Sequence, residues 1–161
     1  MIVEAWRLSK LKYAASAFDG AGAARYPGRW NKIGQRVVYT SDSPSLAVLE
    51  LVVHADDALS LRYGLIRCAF DDTLVEEIDT ALLPVSWQAL VDPAYAPLQL
   101  IGGEWFESAR SAVFKVPSAI VPEQHNFLIN PTHPDFRFIA IGPMTIYKPD
   151  ARLNRYTGEK M

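Results

Sequence analysis

The sequence predicts an α+β fold, and three observations carry that reading. Short runs rich in β-branched and aromatic residues recur along the 161 residues and outnumber the helical stretches. The helical stretches fall between them irregularly, without the strand–helix alternation of a doubly wound sheet. One helix, opened by Ser43 and Pro44, is apolar almost all round through Leu46, Ala47, Val48, Leu49, Leu51, Val52 and Val53. A helix of that kind is normally buried.

Composition bounds the rest. Half the residues are hydrophobic, 21% are charged and the net charge is −2, which describes one folded domain spanning residues 1–161. No Lys/Arg cluster stands out, so a nucleic-acid surface is not expected. Cys68 is alone, so no internal disulfide forms, which fits a reducing cytoplasm. The opening MIVEAWRLSK carries Glu4 and no long apolar core, so it does not read as a signal peptide. No run of about 18 apolar residues exists to span a membrane.

In order, Ile2 to Leu8 reads as a strand, alternating through Val3, Ala5 and Arg7, and Tyr13 to Phe18 as a short helix. Gly20, Gly22 and Gly28 give a flexible approach to Arg29, without the spacing or context of a dinucleotide fingerprint. Gln35 to Thr40 is a strand, and Ser43 as N-cap with Pro44 at the first helical position starts the apolar helix. Leu61 to Phe70 and Leu74 to Ile78 are further strands. Pro84, Pro93 and Pro97 break the chain from Thr80 to Pro97 into turns and short helices. Leu98 to Ser108 is helical, weakened by Gly102 and Gly103. Ser111 to Val116, Asn126 to Asn130, Phe136 to Ile141 and Met144 to Tyr147 complete the strands. From Lys148 to residue 161 the chain is polar and reads as a loosely held tail.

Glu50 is the sharpest clue. It sits in the middle of the apolar helix, and a carboxylate taken out of water costs several kcal/mol unless it is paired or protonated. It therefore lines a cleft, pairs with a buried cation, or carries a raised pKa. His54 follows four residues later, but no HExxH and no third ligand at recognisable spacing support a metal. His54 reads instead as a cation near the helix C-terminus. His125 and His133 lie in Pro-rich loops and read as structural.

Two blocks resemble a known family. The first is GRWN, VVYTS and SLAVLELVVH between Gly28 and His54; the second is VPSAIVPEQHNFLINPTHPDF, Val116 to Phe136. In this order they resemble the RES domain, the toxin of a bacterial toxin–antitoxin pair. The family's naming Arg, Glu and Ser correspond here to Arg29, Glu50 and Ser118. The resemblance implies a fold similar to the ADP-ribosyltransferases, a split β-sheet with flanking helices around an NAD cleft. It also implies that the protein takes NAD as substrate, without a metal, and cleaves the nicotinamide–ribose bond, depleting NAD and arresting growth.

The implied roles agree with residue chemistry. A guanidinium at Arg29 can grip a diphosphate bidentately, with Gly28 letting the backbone approach; Arg25 and Arg36 compete for that role. Tyr39 ends a strand and can serve the nicotinamide end or pack in the core. Glu50 steadies positive charge on ribose, as carboxylates do in glycoside hydrolysis. The nicotinamide departs neutral and needs no general acid. Ser118, after Pro117, and Asn126 are candidates to reach the cleft; their bland alternatives are a turn hydrogen bond and a backbone cap. The implied partner is an Xre-type helix-turn-helix antitoxin that plugs the cleft. The acceptor stays open among water, phosphate and a protein side chain. The rival readings are a protein ADP-ribosyltransferase, a fold that has lost its chemistry, and a metal-dependent module built on Glu50 and His54.

Overall fold

The computed structural model describes residues 1–54 and 62–156. The strands are β1 (Ile2–Lys10), β2 (Val38–Ser41), β3 (Tyr63–Asp71), β4 (Val75–Glu77), β5 (Val113–Pro117), β6 (His125–Ile129) and β7 (Ala140–Tyr147). They form one mixed sheet in the order β4-β5-β6-β2-β1-β3-β7. Only β4 and β5 are parallel; the other neighbours run antiparallel. The helices are α1 (Ala21–Arg25), α2 (Pro44–His54) and α3 (Ala96–Ser108), so the architecture is α+β, as the sequence predicts.

The sheet is nearly cut in two. β1 meets β3 along its whole length, from Ile2↔Asp71 to Lys10↔Tyr63, but it meets β2 at the single pair Trp6↔Ser41. Beyond that pair the strands part, and the Arg7 side chain spans the gap, Nη1 donating to the Tyr39 carbonyl at 2.9 Å. This is the split that the family resemblance implies, and the cleft opens there.

Both faces of the β5–β6 half are covered. Successive strand residues point to opposite faces, so Val113, Phe127 and Ile129 join one buried cluster with Ala5, Phe70 and Cys68. Phe114, Val116 and Leu128 join a second with Trp30, Trp87, Leu98 and Trp105. The second cluster seats α3 and, through Trp30, the loop that carries Arg29.

Several expectations are corrected. α2 is not buried all round: Leu46 and Ala47 are buried, but Leu49 is 39% and Val53 58% exposed. An apolar composition without a sharp stripe does not reveal which side faces the sheet. Gly20 to Gly28 is not uniformly flexible, since it contains α1. The β2 strand begins at Val38 instead of Gln35. Leu11–Ser16 and Pro134–Phe138 are 3₁₀ turns, and the last two expected strands merge into β7. Pro143 is tolerated inside β7 because β7 is an edge strand with a register shift opposite it. Leu61, the expected start of β3, lies outside the described residues, as do residues 157–161 of the tail; Ala151–Tyr156 forms a 3₁₀ turn.

Candidate active site

The loop that presents Arg29 is tied by one buried side chain. Asn31, 0% exposed, accepts from the Gly28 N–H at 2.9 Å and the Tyr39 hydroxyl at 2.7 Å. Its amide nitrogen donates to the Ala23, Lys32 and Gln35 carbonyls. The Trp30 N–H donates to the Tyr39 hydroxyl at 3.1 Å, and Gln99 of α3 donates to the Gly28 carbonyl at 2.9 Å. Gly28 is required by close approach: a Cβ there would stand 2.8 Å from the Tyr39 hydroxyl oxygen. Gly102 of α3 is required too, since a Cβ would overlap the Trp30 carbonyl. The residue that weakens α3 in isolation is thus what lets the loop lie against it.

Arg29 leaves this loop half-buried. Its Nη1 donates to the Trp87 carbonyl at 3.1 Å, and its guanidinium lies 4.7 Å from the centre of the Tyr95 ring and 6.0 Å from that of Trp87. Both contacts fix a cation by its faces and one edge. No acidic side chain pairs with it among the described residues.

Glu50 is held by three side chains. Asn126 Nδ2 and Ser118 Oγ donate to Oε1 at 2.7 and 3.0 Å, and His54 Nε2 lies 3.3 Å from Oε2. Asn126 and Ser118 are themselves fixed. Ser41 donates to Asn126 Oδ1 at 2.9 Å across the β2–β6 pair. Ser118 Oγ accepts from the Ile120 and Val121 N–H groups, both at 3.1 Å, which aims its own hydrogen at Glu50. Burial is the largest single influence on the Glu50 carboxyl and pushes its pKa up. The hydrogen bonds from His54, Asn126 and Ser118 together outweigh it and hold the group below its ordinary value, ionised at neutral pH. Of the three fates read from the sequence, Glu50 lines a cleft; its pKa is not raised, and the side chain beside its second oxygen is the half-exposed His54, not a buried arginine.

These groups face one cavity of about 570 Å³, whose walls include Arg29, Tyr39, Glu50, His54, Tyr95 and Asn126. Arg7 reaches it from the gap between β1 and β2. Burial lowers its guanidinium to about 10, so it stays a cation at neutral pH. Its Nε is buried without a hydrogen-bond partner, and no acidic side chain pairs with it among the described residues. A partly buried guanidinium without an ion pair is costly, and an anion in the cavity would relieve it. Burial also pushes the Tyr39 phenol above its ordinary range, so the hydroxyl stays protonated and its ring serves as wall.

A family model described as the RES domain matches residues 4–150. The chain belongs to the RES family. A "Toxin Res" of Photorhabdus laumondii is 42% identical over 132 residues, 81% of this RES chain and 83% of its own. A "Prs ADP-ribosylating toxin" of Sphingobium sp. strain YBL2 is 37% identical over 161 residues, 96% of this chain and 99% of its own. The fold is that of a chain in the crystal structure of the M. tuberculosis MbcT–MbcA toxin–antitoxin complex, with a TM-score of 0.71 at 16% identity, covering 99% of this chain and 91% of that one.

Within this RES fold, Arg29, Tyr39, Glu50 and Asn126 all reach the cavity wall. Ser118 does not: it is fully buried behind Glu50 and touches the cavity only through it. Arg25 and Arg36, the local competitors of Arg29, are exposed and do not line the cavity. Sequence reasoning missed Arg7, Tyr95 and Asn31, and it placed His54 without its partner. The i, i+4 spacing of Glu50 and His54 was a usable signal, and so was the place of Asn31 in the GRWN block; Arg7 and Tyr95 come from elements far apart in the chain. Among the described residues no third His, Cys, Asp or Glu joins Glu50 and His54 in a metal-binding group.

Proposed function

We propose that this chain is the toxin of a toxin–antitoxin pair, one domain that binds NAD in the cleft between β1 and β2 and cleaves the nicotinamide–ribose bond. The observation that carries this reading is the charge arrangement of the cavity. Besides Asp92 at its wall, the cavity holds the ionised Glu50, fixed by three donors, together with two guanidiniums that have no ion-pair partner among the described residues. That is the complement of a ligand with a diphosphate in the middle and a cationic ring at one end.

Arg29 and Arg7 hold the diphosphate. The Tyr39 ring walls the nicotinamide end. Glu50 lies along the ribose, where its charge favours the oxocarbenium-like state over the bound substrate. As the C–N bond breaks, its electron pair goes to the pyridine ring, which leaves neutral and needs no proton. Ser118 and Asn126 position Glu50, so that its charge is preorganised when the cation develops.

The acceptor of the ADP-ribosyl group is water, phosphate or a protein side chain. The relative named as an ADP-ribosylating toxin, similar along nearly its whole length, favours a protein acceptor as the second reading. Incubating purified protein with NAD and weighing the products decides among them: free ADP-ribose, ADP-ribose 1″-phosphate and modified protein differ in mass. Intact NAD after prolonged incubation, with no modified protein, sinks the proposal.

The partner on this reading is an Xre-type helix-turn-helix antitoxin that plugs the cleft in the cytoplasm. The structural neighbour was solved in a toxin–antitoxin complex, and this chain's net charge of −2 leaves DNA contact to the partner. Co-expression with the neighbouring gene tests it. A helix-turn-helix product that neither co-purifies nor rescues growth removes this part of the proposal.

A further inference from the structure

We infer that His54 is a positioning residue for Glu50: it holds the carboxylate oxygen that the buried donors leave free and so sets the pH range in which the site works. This rests on the NAD-cleaving reading above. The geometry separates the two oxygens of Glu50. Oε1 is saturated from inside the protein by Asn126 and Ser118. Among the described residues Oε2 has His54 alone, at 3.3 Å, from the last turn of the same helix. His54 is 50% exposed on its side chain while Glu50 is 22% exposed, so the histidine closes the solvent side of the carboxylate.

No other group on the cavity wall substitutes for it. Arg7 of β1, Arg29 and Tyr26 of the loop after α1, Tyr39 of β2, and Asp92 and Tyr95 of the segment before α3 also line the cavity. None of them hydrogen-bonds or ion-pairs with Glu50 among the described residues. His54 is also the largest of the influences that lower the Glu50 pKa, ahead of Asn126 and Ser118. Without it, burial meets only the two donors on Oε1, and the carboxyl protonates at higher pH. A protonated Glu50 carries no charge to offset the ribosyl cation.

The test is the pH profile of nicotinamide release by the full chain carrying His54→Ala or His54→Gln. The Gln amide nitrogen stands near the place of Nε2 and keeps a neutral donor. For His54→Ala the acid limb of kcat moves up, so that the rate at about pH 5 falls about tenfold further relative to pH 8 than in wild type, the scale of one hydrogen bond to a charged group. His54→Gln moves the limb less. Three outcomes overturn the inference: an unmoved limb in both variants, a limb that moves down because His54 had been neutralising Glu50, or an even loss of rate at every pH. Melting curves close to wild type, expected for a half-exposed side chain, confirm that both variants are folded. If wild type itself releases no nicotinamide, the NAD-cleaving reading has failed; if wild type turns over and the variants match it, only the role of His54 has failed.

Discussion

Glu50 and Arg7 show opposite ways of keeping a charge inside a protein. Glu50 is satisfied from every side the fold can reach, by Ser118, Asn126 and His54. Because His54 is half-exposed, Glu50→Gln strands no buried cation, and glutamine keeps a carbonyl for Asn126 and Ser118. We expect NAD turnover to fall by roughly 10²–10³, the scale of one preorganised electrostatic group, with a melting temperature near wild type. Near-normal turnover would end the catalytic role. Arg7 is the reverse case, with a buried Nε lacking any partner. Arg7→Met removes a charge that has no ion pair among the described residues and keeps the length, at the cost of the bond to the Tyr39 carbonyl, so stability should change little. NAD binding should weaken by about 10- to 100-fold, seen as a higher KM, for the loss of one or two hydrogen bonds to a charged group. A destabilised variant with unchanged KM would mean that Arg7 only bridges the strands. Glu50 was legible in the sequence because a carboxylate in an apolar helix is a conflict that must be resolved. Arg7 was not, because alternation on a strand says which face a residue takes and nothing about where the sheet parts. Ser118 was legible only through the family resemblance: its hydroxyl reaches Glu50 across 68 residues of chain.

At the scale of elements, the site depends on how the Arg29 loop is clamped between β2 and α3. Asn31 makes the clamp, and its removal leaves the Gly28 N–H and the Tyr39 hydroxyl short of a partner. Asn31→Ala should cost about 2–6 kcal/mol, from two groups at about 1–3 kcal/mol each, and lower the melting temperature by several degrees with loss of activity. A melt indistinguishable from wild type would show that the loop holds by other means. The two glycines of α3 should separate. Gly102→Ala gains about 1 kcal/mol of helix propensity but collides with the Trp30 backbone, which cannot retreat. It should be destabilising and should displace Arg29. The nearest atoms to a Cβ at Gly103 are side-chain atoms of Lys32 and Gln35, at 3.2 and 3.3 Å, so Gly103→Ala should be far milder. Equal melting temperatures for the two would refute the packing account. The sequence located α3 and most strands because their periodicity is local. It took Gly102 for a weakness, and split β7 at Gly142 and Pro143, because packing partners and edge position are tertiary facts.

At the scale of the molecule, the sheet is two ladders, β4-β5-β6-β2 and β1-β3-β7, sharing the single pair Trp6↔Ser41. That division follows from pairing no sequence pattern records, and the α+β class was legible while the position of the seam came only with the structure. The seam bears on ligand binding. Arg7 belongs to one ladder; Arg29 sits on the loop before β2, clamped to the other. A diphosphate gripped by both ties the ladders together where the backbone does not. The Glu50→Gln protein allows the test, since it should bind NAD without consuming it. With NAD at 100 times its Kd the folded state gains about 2.7 kcal/mol, which for a chain of this size raises the melting temperature by roughly 5–11 °C. Amide exchange should slow with NAD in β2 and in the facing part of β1, and change little along the continuous β1–β3 ladder. Adding Arg7→Met to Glu50→Gln should remove most of both effects at the same NAD concentration. A thermal shift that survives the loss of Arg7, with exchange slowed only around Arg29, would place the ligand on one ladder alone and break the proposed bridge across the cleft.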